Sequence, residues 1–519
     1  MNTIRLKTNQ HRLIANLRHA FSAQSMLGEL LQNARRAGAT RIDVTVEDQT
    51  MIVSDDGSGI ADLQTLIFIA ESGWDQALQA RENAFGMGVL STLYFADQLS
   101  VYSGTQMFSA PTAAIIRGDA IEVHPQAKRI GTEIRLDGVQ SPQSNISLLS
   151  WVQSKLAYLS EAFPVPLSLN GQAVPRPLTA STLAWRETPV GKVLIDLDAL
   201  PYRWRCFLQG LPIGDQPPGY HRHAVLLHDD MLARLPDRQH LLNEDQDHLR
   251  IQAAVTQAYR EALREAKAVQ AAEAFVQEHA DRCLCSGNAD LLDDIDVAPL
   301  GWFRDWDMDP PGFCPFGRRH SPGVATSEGL SRAGVWRIED GDADDLAAQA
   351  YVFARRGWLL EERALAPGHW LHRLARTISP DDVVIEHGPL LHEDHHLPLA
   401  EHVTAVLVAS LRIGLAGEQD MFAVTAVRRE DRLYVTDQAD AVTRLISDYI
   451  VDERYCEDME ASDDQVIRTF VAIGSTRDPA QIVRALLPPS MIFNPQAKLT
   501  NAVLRLTFDD QGRLKEVGS

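Results

Sequence analysis

The sequence predicts an α+β fold, and three observations carry the prediction. Residues 12–38 (RLIANLRHAFSAQSMLGELLQNARRAG) place apolar side chains at helical spacing and stop at Gly38. Residues 41–57 (RIDVTVEDQTMIVSDDG) alternate apolar and polar positions on both sides of Glu47-Asp48-Gln49, the pattern of two half-buried strands and a turn. Helical and strand-like patterns then continue to residue 138, so helices are expected over one face of a mainly antiparallel sheet.

The elements follow in order. Residues 63–73 (LQTLIFIAESG) and 89–97 (VLSTLYFAD) are expected as helices, and 98–105 (QLSVYSGT) as a strand. Further strands are expected at 113–118 (AAIIRG), 121–125 (IEVHP) and 131–138 (GTEIRLDG). Residues 150–177 add a helix and a hairpin that turns at Asn170-Gly171. Pro164, Pro166, Pro175 and Pro177 place a domain boundary near 178. The next region, 179–282, holds strands in 192–200, 205–213 and 223–230, then one long Ala/Gln-rich helix over 245–282. Residues 283–330, dense in Pro and Gly, read as an irregular linker, and 331–519 as a mixed α/β C-terminal region. Within the latter, 345–365 and 440–451 read as helices and 421–436 and 503–517 as hairpins.

Composition narrows the function classes. A chain of 519 residues with 45% hydrophobic and 23% charged positions is a multi-domain globular protein. Its 49 basic against 70 acidic residues leave a net charge of −21, which argues against a general nucleic-acid or anionic-membrane binder. No apolar run approaches ~20 residues, so no membrane span is expected. The opening MNTIRLKTNQHRLIANLRHAF lacks a continuous apolar stretch, and a cytoplasmic location is the expectation. Five sparse cysteines fit reduced thiols. Cys283, Cys285, Cys314 and His320 lack the spacing of a structural zinc site.

Four short motifs carry the chemistry. Glu29 and Asn33 stand at i and i+4, so both project from one helix face about 6 Å apart. MIVSDDGSGI then runs a strand into Asp55, Gly57, Gly59 and Ile60, where glycines permit a sharp turn and close approach to a ligand. NAFGMGVLST sets Phe85, Gly86, Met87, Gly88 and Val89 ahead of an apolar segment, where exposed backbone N–H groups suit an anion. GTEIRL places Thr132 at the start of a strand. Each alone is a weak signal, and neither a P-loop nor a Rossmann fingerprint is present.

In this order the four resemble the GHKL ATPases, the superfamily of gyrase, heat-shock-90-type chaperones, histidine kinases and MutL. The resemblance covers roughly 20–140 and in outline reaches about 270. ELLQNARRAGAT looks like the MutL form of the first motif, and FGMGVLSTLYFADQLSVYS like the chaperone phosphate loop. It implies a Bergerat-type ATP-binding sandwich over 1–178 and a transducer-like domain over 179–282. ATP and Mg²⁺ are the implied cofactors. Glu29 would activate the attacking water, Asn33 hold the metal, and Asp55 accept from the adenine amino group with Thr132 in support. Gly57, Gly59 and Ile60 would pass the base, and Phe85 to Val89 cover the phosphates under a lid spanning 61–84. Arg238 in RLPDRQHLLNEDQ, with Lys192 as runner-up, would reach the γ-phosphate.

The implied function is a nucleotide-driven, chaperone-like switch, a homodimer whose C-terminal region takes a protein client or partner. The alternatives are a MutL- or MORC-like DNA-associated ATPase and a non-hydrolysing ATP-binding scaffold. One departure from the family pattern concerns the helix itself: an acid three residues after the metal Asn is replaced by Arg36. Its neighbour Arg35 is expected to face solvent.

Overall fold

The computed structural model describes residues 22–67, 89–214, 221–234, 240–312, 322–339, 345–361, 363–440, 442–452, 454–488, 491 and 494–519. The chain divides into two compact units, Met1–Val269 and Gln270–Ser519. No helix among the described residues is long and apolar enough to cross a membrane.

In the first unit, helix α1 (Ala23–Arg36) starts at Ser22, whose hydroxyl accepts from Ser25 N while Ser25 Oγ accepts from Ser22 N. That reciprocal box satisfies N–H groups that otherwise lack partners at a helix start. Strands β1 (Ile42–Glu47) and β2 (Thr50–Asp55) pair from Ile42↔Asp55 to Glu47↔Thr50, with Asp48 at φ 49 in the tight turn. Strands β3 (Gln98–Ser103), β4 (Gln106–Pro111), β5 (His124–Pro125), β6 (Thr132–Asp137), β7 (Leu167–Leu169) and β8 (Gln172–Ala173) complete an eight-stranded sheet. Its order is β5-β4-β3-β6-β2-β1-β7-β8, antiparallel except for the β1–β7 pair. Leu27, Leu30 and Leu31 of α1 share one core with Val44, Val53, Leu99 and Ile134 of the sheet. Each such fully buried side chain contributes about 1.5–3 kcal/mol.

Two expectations are corrected here. Residues 113–118, read as a strand, lie in helix α2 (Thr112–Arg117), closed by Gly118 at φ 78. The β3–β4 register ends at Pro111, and Thr112 Oγ1 donates to Ala96 O at 2.7 Å, which turns the chain off the sheet. The apolar run after Val89 is a 3₁₀ turn, Val89–Tyr94, and not a longer α-helix. Leu90, Ser91, Thr92 and Leu93 of this turn are all buried, and Tyr94 is half-buried.

Helix α3 (Leu148–Ser160) covers the same core with Trp151, Val152 and Leu156. A five-stranded sheet follows: β9 (Arg186–Thr188), β10 (Gly191–Leu194), β11 (Trp204–Leu208), β12 (Leu211–Ile213) and β13 (His223–Leu227), in the order β12-β11-β13-β10-β9. Helix α4 (Glu244–Val269) buries Ile251, Val255 and Ala258 against Val193, Leu208 and Val225. The helix expected over 245–282 is two helices, because Ala271 adopts extended ψ 145 before α5 (Ala272–Cys285) begins. The break falls at the boundary between the units, and α5 buries Phe275, Val276 and Cys283 within the second.

The second unit is mixed α/β. Residues 283–330 hold the paired strands Val297–Pro299 and Val324–Thr326, and Trp302 is buried with Nε1 donating to Asp281 Oδ1 at 2.8 Å. A parallel trio, Val335–Ile338, Trp358–Leu359 and Ala375–Ile378, packs with helix Leu346–Ala354. The stretch 440–451, read as a helix, contains only the short turn Val442–Leu445 and strand Ile450–Val451 among its described residues. The two expected hairpins form, at Ala426–Arg429 with Arg432–Val435 and at Arg505–Phe508 with Leu514–Gly518.

Candidate nucleotide site

Helix α1 turns its apolar stripe to the core and leaves a polar ladder beside it. Glu29 is buried at 7% exposure, and Asn33 one turn later is half-buried. Arg36 completes the ladder: its Nη1 donates to Asn33 Oδ1 at 3.3 Å and lies 3.9 Å from Glu29 Oε2. The Arg36 side chain is only 3% exposed. Glu29 and Asn33 thus converge on one guanidinium, as the i, i+4 spacing requires. A carboxylate and a carboxamide oxygen are hard donors that fit Mg²⁺ as well as they fit Arg36.

Arg35 does not point freely into solvent. Its Nε donates to Gln32 Oε1 at 2.8 Å, and the fully buried Gln32 donates through Nε2 to Gln209 Oε1 at 2.8 Å. Gln209 sits at φ 54 in the β11–β12 turn, and Leu211 just beyond it enters the core that α1 lines.

The end of α1 explains the Ala-Gly-Ala-Thr sequence locally. Gly38 takes φ 73 after the helix, and the chain then folds back over the turn after β2. The Asp56 carboxylate accepts from Thr40 Oγ1 at 2.5 Å, Thr40 N at 2.7 Å and Arg41 N at 3.0 Å. Ser58 N donates to Ala37 O at 2.8 Å. Gly57 is demanded by this clamp, since a Cβ there would lie 2.8 Å from Ala37 Cβ and O. The space opened by this glycine is filled by the chain itself.

The Thr40 hydroxyl, followed by Arg41 N–H, holds the Asp56 carboxyl down at about 2 against an ordinary 3.8. A depressed carboxyl contributes stability that is complete above its unfolded value and lost as pH falls through its folded value. Thr40→Val, which removes the hydroxyl donor, is therefore expected to raise the pH at which acid loosens this region from about 2 toward 3.8. Melts between pH 2 and 5 check it, and coincident profiles for the two proteins would reject it.

Asp55 lies beside the clamp. Its Oδ1 accepts from Gly57 N at 2.8 Å. Burial pushes its carboxyl above the usual range, and N–H groups of Gly57 and Thr132 oppose that rise. Thr132, buried, opens β6 directly opposite Ser103 at the end of β3. Ser103 Oγ accepts from Ile60 N at 2.8 Å, donates to Gly131 O at 3.2 Å and lies 3.3 Å from Thr132 Oγ1. Ser103 ties the D-x-G-x-G turn to the G-T strand, yet sequence reasoning passed over it; a serine closing one strand where a threonine opens another was the available signal. Gly59 (φ 75) faces that hydroxyl, with a Cβ position 3.0 Å from Ser103 Oγ.

The other expected residues divide. Ile60 is half-buried against the core, and Val89 begins the 3₁₀ turn. Lys192 on β10 pairs with Glu187 at 3.1 Å. Phe85, Gly86, Met87, Gly88 and Arg238 lie outside the described residues, as do most of 61–84, Cys314 and His320. Cys283 is buried and Cys285 exposed on α5.

Residues 21–135 match the family model of histidine kinase-, DNA gyrase B- and HSP90-like ATPases. Among solved structures the chain is similar to the crystal structure of the N-terminal domain of a DNA repair protein. That similarity runs at 14% identity with a TM-score of 0.34, over 50% of this chain and 100% of the other. No match is found among curated proteins. The Glu29 helix, the Asp55 turn and Thr132 all lie within the residues 21–135 that match the model of the histidine kinase-, DNA gyrase B- and HSP90-like ATPases.

Proposed function

We propose that the protein binds ATP with Mg²⁺ and hydrolyses it, and that the nucleotide drives a conformational switch acting on a protein client. The observation that carries the reading is the convergence of buried Glu29 and half-buried Asn33 on one face of α1. In this reading Glu29 holds the attacking water and takes its proton at the carboxylate. Asn33 would hold Mg²⁺, which when bound neutralises charge on the phosphate oxygens. Asp55 accepts from the adenine amino group, and its restrained carboxyl and the adjacent Thr132 hydroxyl fix the base. Gly57, Gly59 and Ile60 shape that wall, Phe85 to Val89 cover the phosphates, and 61–84 close as the lid. Arg238 reaches the γ-phosphate from the region 179–282. A homodimer whose 331–519 segment takes the client completes the chaperone-like scheme.

Binding of ATP by the intact protein, measured by calorimetry beside Asp55→Asn, tests the reading. Wild type is expected to bind and Asp55→Asn to lose binding. Because burial raises the Asp55 carboxyl, its charged form is disfavoured in the folded state, so neutral Asn should keep or raise the melting temperature at pH 7. Absence of ATP binding by wild type sinks the reading.

A DNA-associated, MutL- or MORC-like ATPase is the second reading, and the Ala37-Gly38-Ala39-Thr40 ending favours it. The net charge of −21 opposes it. Salt-dependent retention of the intact protein on duplex DNA would select it over the client reading. A non-hydrolysing scaffold predicts ATP-dependent compaction with no phosphate release.

A further inference from the structure

Arg36 stands where the proposed reaction needs open oxygens. Its Nη1 donates to Asn33 Oδ1 at 3.3 Å and lies 3.9 Å from Glu29 Oε2, and its side chain is 3% exposed. It also falls in the last turn of α1, where a cation meets the negative end of the helix dipole. The guanidinium is therefore buried, favourably placed and directed at the two groups assigned to water activation and metal holding.

We infer that Arg36 is a built-in cation that sets how far nucleotide binding depends on a divalent ion. The inference rests on the nucleotide reading above. An ion held by the Asn33 carboxamide oxygen would share that oxygen with the guanidinium that already donates to it, and like charges so placed in a part-buried site repel strongly. Arg36 must therefore swing aside before Asn33 serves a metal, or itself supply positive charge toward the phosphates. Either way Mg²⁺ adds little to nucleotide affinity while Arg36 is present. A neutral or acidic residue at 36 restores the preference for the ion. Arg36 acts through Asn33 and Glu29, so its role is positional.

The test measures the ATP dissociation constant of the full-length protein by calorimetry, once with Mg²⁺ and once with a chelator. Wild type should show a ratio below about threefold, whereas Arg36→Gln and Arg36→Asp should raise it at least about tenfold, the scale of one removed charge–charge repulsion. Arg36→Lys, which keeps the charge, should stay with wild type. Mn²⁺ bound in the presence of ATP, followed by its paramagnetic resonance, should tighten in Arg36→Gln in parallel. A wild-type ratio of tenfold or more overturns the inference without any variant. Equal ratios in wild type and a folded Arg36→Gln overturn it as well, leaving the nucleotide reading in place. No ATP binding in either buffer overturns both.

Discussion

Glu29→Gln is expected to lower ATP turnover by about 10²–10⁴-fold while leaving ATP bound, the usual scale for loss of a positioned general base. The substitution keeps the shape of the side chain and an oxygen near Arg36, and removes the carboxylate that accepts the proton. At 3.9 Å the Glu29–Arg36 contact is too long for a hydrogen bond, so between these two side chains the substitution removes charge attraction alone. Gln is for that reason a cleaner probe than Ala, which would also leave a void beside a buried guanidinium. Phosphate release and ATP binding are measured on the same preparations. Turnover within threefold of wild type would remove Glu29 from the proposed chemistry and favour the non-hydrolysing scaffold.

Gly131→Ala is expected to cost about 3 kcal/mol of stability. An L-residue at φ 73 is strained by about 1–2 kcal/mol, and a Cβ there would lie 1.9 Å from the Asp55 carbonyl oxygen. That clash is with backbone, so relief requires β2 and β6 to part, at the further cost of about 1–3 kcal/mol typical of overpacking. The displacement falls on Asp55 and Thr132 together, so ATP binding should weaken along with the fold. Denaturant midpoints read the stability change; a loss below about 1 kcal/mol would mean the turn relaxes without strain.

Much of the first unit was readable because its signals are local. Alternation over 41–57 specifies two strands whatever surrounds them, and Asn170-Gly171 supplies the two positive-φ residues a tight hairpin turn needs. The i, i+4 spacing of Glu29 and Asn33 places them on one face through helix geometry alone. Failures came where distant chain decides the outcome. AAIIR has strand-like composition, but the β4 register was already complete at Pro111, and the residues became helix. The break at Ala271 carries no Gly or Pro, and arises because α4 and α5 bury their apolar faces in different units.

The sequence by itself determined the motif order, the helix face that bears Glu29 and Asn33, and the strand that ends in Asp55 before its glycine turn, since these follow from backbone periodicity and the freedom of glycine. Only the tertiary structure decided what those residues touch. It set Arg36 against Asn33 and Glu29, closed Thr40 on Asp56, and joined Ile60 to Thr132 through Ser103. The physical reason is range: periodicity acts over one or two turns of chain, whereas Ser103 meets Ile60 across 43 residues only after β3, β6 and β2 have paired.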